Sequence, residues 1–340
     1  MSGKRSKCSF SRLEVVLIVF LVLMVAVTVV LLVLHFLVKE DNASSEEIAN
    51  YLLGVGRADC TGPVAEIPLM GYANPDQVGG GLLTRLYSRA FIVADLDDSR
   101  RVVFVSADIG MVSQKLRLEV LKKLESKYGG LYRQDNVILS GTHTHSGPGG
   151  YFQYTLFWIT SKGLIRPSLN AIVNGIVKSI DIAHQNMKRG RLFINRGTVE
   201  NSQINRSPFS YLENPASERS RYSSNTDKEM VMLKMVDENG QDLGLISWFA
   251  VHPVSMNNTN RLVNSDNVGY ASYLFEQAMN KGVLPQEGPF VAAFASSNLG
   301  DVSPNTKGPF CVNTGESCNN PQSTCPVGGV SMSYLIYGDF

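Results

Sequence analysis

Apolar residues recur along this chain with the spacing of strands in some stretches and the spacing of helices in others. Arg89–Ala94 and Arg101–Ser106 are strand-like and flank the turn-forming residues Asp95–Arg100, so they predict a β-hairpin. Two later stretches, Glu229–Val236 and Leu243–Val251, predict a second hairpin because a tight Asp-Glu-Asn-Gly turn separates them. Three further apolar stretches predict strands at Asn136–Ser140, Arg191–Val199 and Phe290–Phe294.

Three other stretches have apolar residues at helical spacing. Met111–Tyr128 is one of them, and it is followed by Gly129-Gly130, a helix stop. Ser168–Met187 places isoleucines on one face, and Asn267–Lys281 follows Asp266 near its N-cap. A chain that mixes helices and strands in this order is typical of a layered domain. The predicted fold class is α/β, or mixed α+β, with a mixed sheet.

One apolar run differs from all the others in length. Val15–Leu34 contains twenty residues without a charge, and a helix of that length spans about 30 Å, the thickness of a bilayer core. Basic residues cluster before the run, which predicts a signal-anchor with its N-terminus in the cytosol. A cleaved signal peptide is the main alternative, but the run is too long for one and no small-residue cleavage site follows it.

These patterns divide the chain into five segments. Residues 1–12 form a cytosolic tail, 13–38 a transmembrane signal-anchor and 39–53 a short stalk. Residues 54–330 form the folded domain, and 331–340 form a tail unlike the edge of a finished domain. The domain is expected outside the cell on a single-pass type II protein of the plasma membrane, with the Golgi or a shed form as alternatives.

Composition adds two points to this picture. A formal net charge of +1, with no basic run beyond the extreme N-terminus, gives no reason to propose a nucleic-acid partner. An extracellular location would allow glycosylation at three sequons, which begin at Asn42, Asn205 and Asn257. It would also allow disulfides among Cys60, Cys311, Cys318 and Cys325.

Polar residues of reactive types follow several of the predicted strands. His143 and His145 lie in the glycine-rich sequence that follows Asn136–Ser140. In an extended backbone two imidazoles two residues apart project to the same side, so this pair is a candidate metal site. Three more polar residues follow other strands: Asp108, His252 and Ser303. Ligands of α/β sheets bind outside the carboxyl ends of strands, which makes these positions candidates for a functional site.

Each candidate also has an ordinary structural explanation. His252 before a proline could be a hydrogen-bonded core histidine, and Ser303 before a proline could be a turn serine. Arg206 could be a solvated loop arginine, and Asp108 could cap the helix that follows it. His184, late in a predicted helix, is expected to interact with the helix dipole. The chain has no Gly-x-Ser-x-Gly motif, which argues against an α/β-hydrolase serine triad.

Five sequence motifs, in order along the chain, carry a resemblance to one enzyme family. They are Gly54-Val55-Gly56-Arg57-Ala58-Asp59, Leu83-Thr84-Arg85-Leu86-Tyr87-Ser88-Arg89, Gly141-Thr142-His143-Thr144-His145-Ser146-Gly147-Pro148, Val251-His252-Pro253-Val254-Ser255 and Asn298-Leu299-Gly300-Asp301-Val302-Ser303-Pro304-Asn305. With them the chain resembles the N-terminal part of animal neutral ceramidases from about Gly54 to about Met332. These are zinc-dependent amidases that cleave ceramide to sphingosine and a fatty acid.

The resemblance implies a zinc site and a possible calcium site. By their motifs, His143 and His252 correspond to zinc ligands of the family. Leu83 corresponds to a residue whose backbone carbonyl helps to hold a structural calcium ion. Zinc polarises a carbonyl, which makes an amide a better electrophile. It also lowers the pKa of bound water to about 7, which makes the water a better nucleophile.

The resemblance also assigns three catalytic residues. His145 and Arg206 line the site and position the polar head of the substrate, and a neutral histidine there can pass a proton to the leaving amine. Ser303 matches the family's active-site serine, which is either the nucleophile or a neighbour of the attacking water. Arg206 or the Ser303 hydroxyl could support the developing oxyanion. The implied partners are ceramide or another sphingolipid, and a membrane.

The chain departs from the family in ways that lower the expected activity. Residues 39–53 are too short and unlike the mucin-like segment that follows the anchor in animal members. Family members continue well past Phe340, and that later part supplies a glutamate and a tyrosine to the zinc, most of the calcium site and an immunoglobulin-like domain. We therefore expect a C-terminally truncated chain with little or no activity by itself. A catalytically inactive, membrane-anchored lipid-binding form is the alternative, and a metal-independent serine hydrolase using Ser303 is a third possibility.

Overall fold

The structure, a computed structural model, describes residues 50–308, 310–311 and 315–317. The predicted cytosolic tail, signal-anchor and final tail lie outside the described residues, as do Cys318 and Cys325. In the part of the chain that is described, none of the helices combines the length and the apolar character needed to cross a membrane.

The described residues form fourteen strands and six α-helices. The strands are β1 Tyr51–Asp59, β2 Ala65–Met70, β3 Val78–Leu82, β4 Tyr87–Asp95, β5 Arg101–Ala107, β6 Val137–Gly141, β7 Gly147–Pro148, β8 Lys188–Thr198, β9 Ile204–Asn205, β10 Glu229–Asp237, β11 Asp242–Phe249, β12 Leu262–Val263, β13 Val291–Ser296 and β14 Val302–Ser303. The helices are α1 Gln114–Tyr128, α2 Thr155–Ser161, α3 Arg166–Gln185, α4 Pro208–Leu212, α5 Ala216–Arg219 and α6 Asp266–Met279.

Eight of the strands form one mixed sheet in the order β13-β11-β10-β8-β1-β4-β5-β6. Neighbours are antiparallel except at the two ends, where β13 pairs parallel with β11 and β5 pairs parallel with β6. The order β12-β3-β2-β7 makes a small second sheet, and β9 pairs with β14 in a third. The layered mixed sheet that the sequence predicts is confirmed.

The large sheet folds back on itself. Although β13 and β6 are at opposite ends of the hydrogen-bonded order, β13 packs against β4, β5 and β6. An apolar core fills the space between the two halves, with side chains such as Phe91 of β4, Ile246 of β11 and Ala293 of β13. At the seam the Ser296 hydroxyl donates to the Thr142 carbonyl at 2.8 Å. The folding of the sheet thus places the residues that follow β6 beside those that follow β13.

Helices cover both outer faces of the folded sheet. α3 packs on β1 and β4 and is itself covered by α1, while α6 packs on β13. The close approach of α3 depends on glycine: a Cβ at Gly54 would lie 2.1 Å from the Ala183 carbonyl oxygen, and one at Gly56 would lie 2.3 Å from that of Ser179. The Gly54-Val55-Gly56 motif therefore has a packing role in β1, away from the candidate site residues.

Most of the predicted elements are present, and four details are wrong. β6 is an edge strand with a half-exposed Ile138, where the sequence predicted a buried strand. Helix α1 begins at Gln114, three residues later than predicted, because the Ser113 hydroxyl accepts from Leu116 N–H and caps it. Asp108 does not cap this helix but pairs with Arg89. Cys60, expected to be available for a disulfide, is a buried free thiol.

Candidate metal centre

Three histidines from two distant parts of the chain meet beside the seam of the folded sheet. They are His143 and His145, which follow β6, and His252, which follows β11. One nitrogen of each lies within 4.8 Å of the others, and the rings of His143 and His252 have centroids 4.9 Å apart. Three of the polar residues that follow predicted strands therefore lie together.

The backbone at His143 produces this convergence in a way the sequence did not predict. His143 has φ +72, a left-handed conformation that non-glycine residues rarely adopt, so the pair is not extended. Its N–H donates to the Ile109 carbonyl at 3.0 Å, which holds the turn against β5. The two rings nevertheless meet, with 3.2 Å between His143 Nε2 and His145 Nε2. Backbone strain of this kind is characteristic of functional sites.

Backbone carbonyls fix the orientation of two of the rings. His143 Nδ1 lies 2.7 Å from the Gly110 oxygen, and His252 Nδ1 lies 2.7 Å from the Leu299 oxygen. A carbonyl oxygen only accepts, so each Nδ1 carries the proton and each Nε2 keeps its lone pair. A backbone acceptor behind the ring is the usual arrangement of a metal-bound histidine.

His145 is held differently. Its Nδ1 is buried without a hydrogen-bond partner, so its proton is better placed on Nε2, which faces His143. The ring packs edge-on against Tyr72 with centroids 4.6 Å apart, and a Cβ at Gly71 would lie 2.3 Å from its Cγ. Tyr72 in turn donates from its hydroxyl to the Met256 carbonyl at 2.5 Å. Ring packing, together with the 3.2 Å contact to His143 Nε2, therefore positions His145.

Burial keeps all three imidazoles neutral. Burial lowers the pKa of His145 to about 2, and positive charge on His143, His252 and Arg206 acts in the same direction. The pKa of His252 is lowered to about 4 by burial and then by Arg206, and burial also lowers the pKa of His143. Near pH 7 His143 and His252 therefore each offer an Nε2 lone pair, the form that binds a metal ion.

The donor set fits a divalent transition-metal ion. Nitrogens of three neutral imidazoles lie within 4.8 Å of one another, and the two backbone carbonyls direct Nε2 of His143 and His252 inward. Imidazole nitrogen suits borderline ions such as Zn²⁺ better than it suits Ca²⁺ or Mg²⁺. The predicted ligands His143 and His252 thus occupy positions from which they could share one ion.

Arg206 and Ser303 reach the centre through the short β9–β14 pair. Ser303 lies opposite Ile204 in that pair, and the His252 N–H donates to the Val302 carbonyl at 3.1 Å. Arg206 donates from Nη2 to the Gly300 carbonyl at 2.9 Å, and its charge lowers the pKa of all three histidines. Arg206 lies in a loop and is partly exposed, and its role at the centre stays a prediction.

The surroundings of Ser303 do not favour a serine nucleophile. Its side chain is buried, and its hydroxyl accepts from the Asn305 N–H at 3.1 Å. Among the hydrogen bonds of the described residues, none joins this hydroxyl to an imidazole nitrogen. An activated serine needs a base within hydrogen-bond reach, so the metal-independent serine hydrolase lacks support here.

Three other residues considered from the sequence lie elsewhere. Asp108 belongs to a buried ion-pair network with Arg89, beside a cavity of about 370 Å³ that the histidines do not line. His184 contacts the Tyr132 hydroxyl through Nδ1 at 2.7 Å. Leu83 follows β3 and donates from its N–H to the Val263 carbonyl at 2.9 Å, and its calcium role stays a prediction.

Asp266 supports the centre and was recognised from the sequence only as a residue near the helix N-cap. It is buried with φ +53, and its carboxylate accepts from the N–H groups of Ser255, Met256 and Asn267. Asn267 Nδ2 donates to the His252 carbonyl at 3.1 Å. These bonds hold the loop that leaves His252. No short sequence pattern links Asp266 to a loop ten residues earlier.

Comparison with known proteins places this centre in an enzyme family. Residues 51–334 match the family model described as neutral/alkaline non-lysosomal ceramidase, N-terminal. Neutral ceramidase of Drosophila pseudoobscura pseudoobscura is 50% identical over 280 residues, which cover 82% of this chain and 40% of that protein. Neutral ceramidase B of Dictyostelium discoideum is 44% identical over 318 residues, covering 93% of this chain and 44% of that protein.

A solved structure agrees with these sequence matches. The neutral ceramidase from Pseudomonas aeruginosa superposes with a TM-score of 0.71 and 41% identity, covering 80% of this chain and 42% of that one. The chain thus spans about two fifths of the length of the relatives that it matches. Relatives in an insect, an amoeba and a bacterium support the family as a whole and not its animal branch in particular. The chain belongs to the neutral/alkaline non-lysosomal ceramidase family and corresponds to its N-terminal part.

Proposed function

We propose that this chain forms the zinc-binding part of a ceramidase active site, which adds water across the amide of ceramide and releases sphingosine and a fatty acid. The observation that carries the proposal is the convergence of three neutral histidines within 4.8 Å, two with Nδ1 bound to backbone carbonyls. The relatives that match the chain are neutral ceramidases, which supports the choice of substrate.

His143 and His252 would hold the ion through Nε2, because their Nδ1 protons are engaged by Gly110 and Leu299. A zinc ion there supplies Lewis acidity: it polarises an amide carbonyl and makes water acidic enough to ionise near neutral pH. The backbone carbonyls fix the direction of both lone pairs before binding, which reduces the reorganisation that binding requires.

His145 and Arg206 would act on the substrate. His145 keeps a proton on Nε2 and directs it towards the centre, where it can hydrogen-bond a substrate oxygen or pass to the leaving nitrogen. Arg206 brings a positive charge close enough to lower the pKa of the three rings, and the same charge stabilises an oxyanion. Ser303 follows Val302, whose carbonyl accepts from the His252 N–H, and it would contribute a hydroxyl hydrogen bond and not a nucleophile.

The test measures metal content and fatty-acid release on the same preparation of the full chain. We expect one zinc per chain, and we expect His143→Ala or His252→Ala to abolish its retention, since removal of a ligand exceeds the roughly 10–100-fold cost of losing a supporting group. His184→Ala is the matched control, because it removes a histidine outside the centre. Retention of zinc by both site variants would refute the ligand assignment.

Turnover separates the remaining alternatives. Zinc-dependent release of fatty acid that a chelator abolishes and zinc restores would establish a ceramidase. Zinc binding without release would favour the inactive lipid-binding form, and release that is insensitive to chelation would revive a serine mechanism. The expectation that this chain alone has little activity stays a prediction, which the same assay measures.

A further inference from the structure

Helix α2 presents an apolar surface outward. Phe157 packs against the core and Ser161 is 3% exposed, so these two residues mark its inner side. The outer side and the residues after it carry four exposed apolar side chains, the α2 patch: Leu156, Trp158, Ile159 and Leu164. Leu156 and Ile159 are 75% and 77% exposed.

This arrangement reverses the usual polarity of a surface helix. Such a helix normally buries its apolar stripe and turns charged or polar residues outward. In α2 Leu156, Trp158 and Ile159 are exposed, and Leu156 and Ile159 lie three residues apart on one face of the helix. A contiguous group of exposed large apolar residues is the signature of an interaction surface.

The patch is attached to the loop that carries the histidines. Gly149 donates from its N–H to the Pro68 carbonyl at 2.8 Å, and Ile165 donates to the Gly150 carbonyl at 2.7 Å. The chain therefore enters α2 from the end of the histidine loop and returns to the same loop after Leu164. Whatever the patch contacts lies on the same loop system as the metal centre.

Charge favours an anionic surface as the partner. No aspartate or glutamate occurs between residues 136 and 180. Lys162 and Arg166 are exposed beside the patch, while β2, on which α2 packs, carries the single exposed acid Glu66. The exposed charges of residues 149–166 and of β2 are therefore two cations and one acid.

We propose that the α2 patch docks on an anionic phospholipid bilayer. Leu156 and Ile159 would enter the boundary of the acyl chains, Trp158 would lie at the level of the headgroups, and Lys162 and Arg166 would contact phosphates. The patch is a small group of four exposed apolar side chains. They are enough for the shallow, reversible insertion typical of interfacial helices.

The chain contains a natural reporter for this contact. Its two tryptophans are Trp158 in the patch and Trp248, which packs against Phe104 with centroids 5.4 Å apart inside the folded sheet. Trp248→Phe leaves Trp158 as the sole indole. The apolar run Val15–Leu34 contains no tryptophan, so its own behaviour in lipid adds nothing to the signal.

The experiment reconstitutes the full-length Trp248→Phe chain in phosphatidylcholine vesicles with and without roughly 30% phosphatidylserine, using brominated acyl chains as quenchers. We expect brominated lipid to quench about half or more of the Trp158 emission, more strongly with phosphatidylserine and less at high salt. Leu156→Ser with Ile159→Ser should reduce the quenching at least about two-fold. Ile194→Ser, at a 71% exposed position on β8, is the matched control and should not change it.

Two outcomes would overturn the proposal. One is Trp158 emission that brominated lipid leaves unchanged while aqueous iodide quenches it in the presence of vesicles. The other is protection of Trp158 from iodide without vesicles, since protein would then cover the patch. Both readouts report lipid contact and not turnover, so the proposal stands or fails separately from the ceramidase assignment.

Discussion

The histidine centre and the charged network around Arg89 are both buried polar clusters, but their groups are satisfied in different ways. Arg89 bonds bidentately to Glu276 at 3.0 and 3.3 Å and to Asp108 at 3.1 Å, and Arg57 lies 3.0 Å from Glu276. Two cations and two anions, each side chain at most 5% exposed, neutralise one another. Each of the four charged side chains has an ion-pair partner in the network, and Asp108 Oδ1 is left without a hydrogen bond.

In the histidine centre, only some of the ring nitrogens hydrogen-bond to other groups of the protein. His143 and His252 donate hydrogen bonds from Nδ1 to backbone carbonyls. His145 Nδ1 has no hydrogen-bond partner among the described residues. The rings are neutral and their remaining nitrogens face one another. The comparison shows that polar residues at strand ends are not equivalent: the network stabilises the fold, and the centre retains donors for a ligand.

The largest effect should follow from breaking the charged network. Arg89→Leu leaves the carboxylates of Asp108 and Glu276 buried with one cation fewer, which should lower the free energy of unfolding by about 3–5 kcal/mol. Urea denaturation followed by circular dichroism measures it. Arg133→Leu is the control, because the Arg133–Asp135 pair is exposed and should change stability by less than about 0.5 kcal/mol. A loss below about 1 kcal/mol at Arg89 would contradict this view of the network.

Zinc should stabilise the chain through the centre alone. At a free concentration of about 100 times the dissociation constant, it should raise the free energy of unfolding by about 2.7 kcal/mol. His252→Ala should remove this increment, whereas His184→Ala should keep it, because His184 lies outside the centre. Thermal or urea unfolding with and without zinc checks both. An increment that survives in His252→Ala would place the ion elsewhere.

A smaller effect is expected where His145 packs on the backbone. Gly71 has φ +137, and a Cβ there would overlap the imidazole at 2.3 Å, so Gly71→Ala should destabilise the chain by about 1–3 kcal/mol. It should also weaken zinc binding by displacing a ring of the centre. Gly197→Ala provides the comparison, since a Cβ at that position meets no atom within 4 Å. Urea unfolding measures the stability of both variants. If Gly71→Ala and Gly197→Ala were equally stable, the His145 ring would be free to move away from the added Cβ, contrary to this prediction.

The smallest effect concerns His184, a histidine outside both clusters. Burial, and then Arg101, lowers its pKa below the ordinary value of about 6.5. The folded chain therefore binds fewer protons than the unfolded chain just below pH 6.5, so stability falls as the pH falls through that region. In His184→Asn the decline between about pH 7 and pH 5 should be shallower, while zinc affinity is unchanged. Urea unfolding at several pH values measures the slope, and an unaltered slope would assign the decline to other groups.

Local features of the fold could be predicted from the sequence, because their causes lie within a few residues. The β4–β5 and β10–β11 hairpins follow from apolar stretches around a tight turn, and both are present. The burial of β6 was predicted wrongly, since an apolar run does not reveal whether a strand has neighbours on one side or two. Position in the sheet is a property of the whole topology.

The sequence was equally limited in predicting which residues meet in the histidine centre and in the Arg89 network. The histidines could be selected as candidates because they follow strands, and the resemblance to a family divided their roles. Asp108 met the same criterion, and its actual partner is Arg89 on β4, which also pairs with Glu276 on α6. Tyr72 gave no signal, because the Met256 carbonyl that it contacts is 184 residues away. Partners at such separations are fixed only when the sheet folds on itself.

The seam of the folded sheet has a kinetic consequence. The hydrogen bond from Ser296 to Thr142 joins residues 154 positions apart in the chain, and contacts at such separations form slowly because loop closure must precede them. His143 lies next to this seam, so the ion-binding geometry exists only after the two halves of the sheet have closed. During refolding, the rate of zinc uptake should therefore follow the last tertiary step, and the ion would serve as a probe for the end of folding.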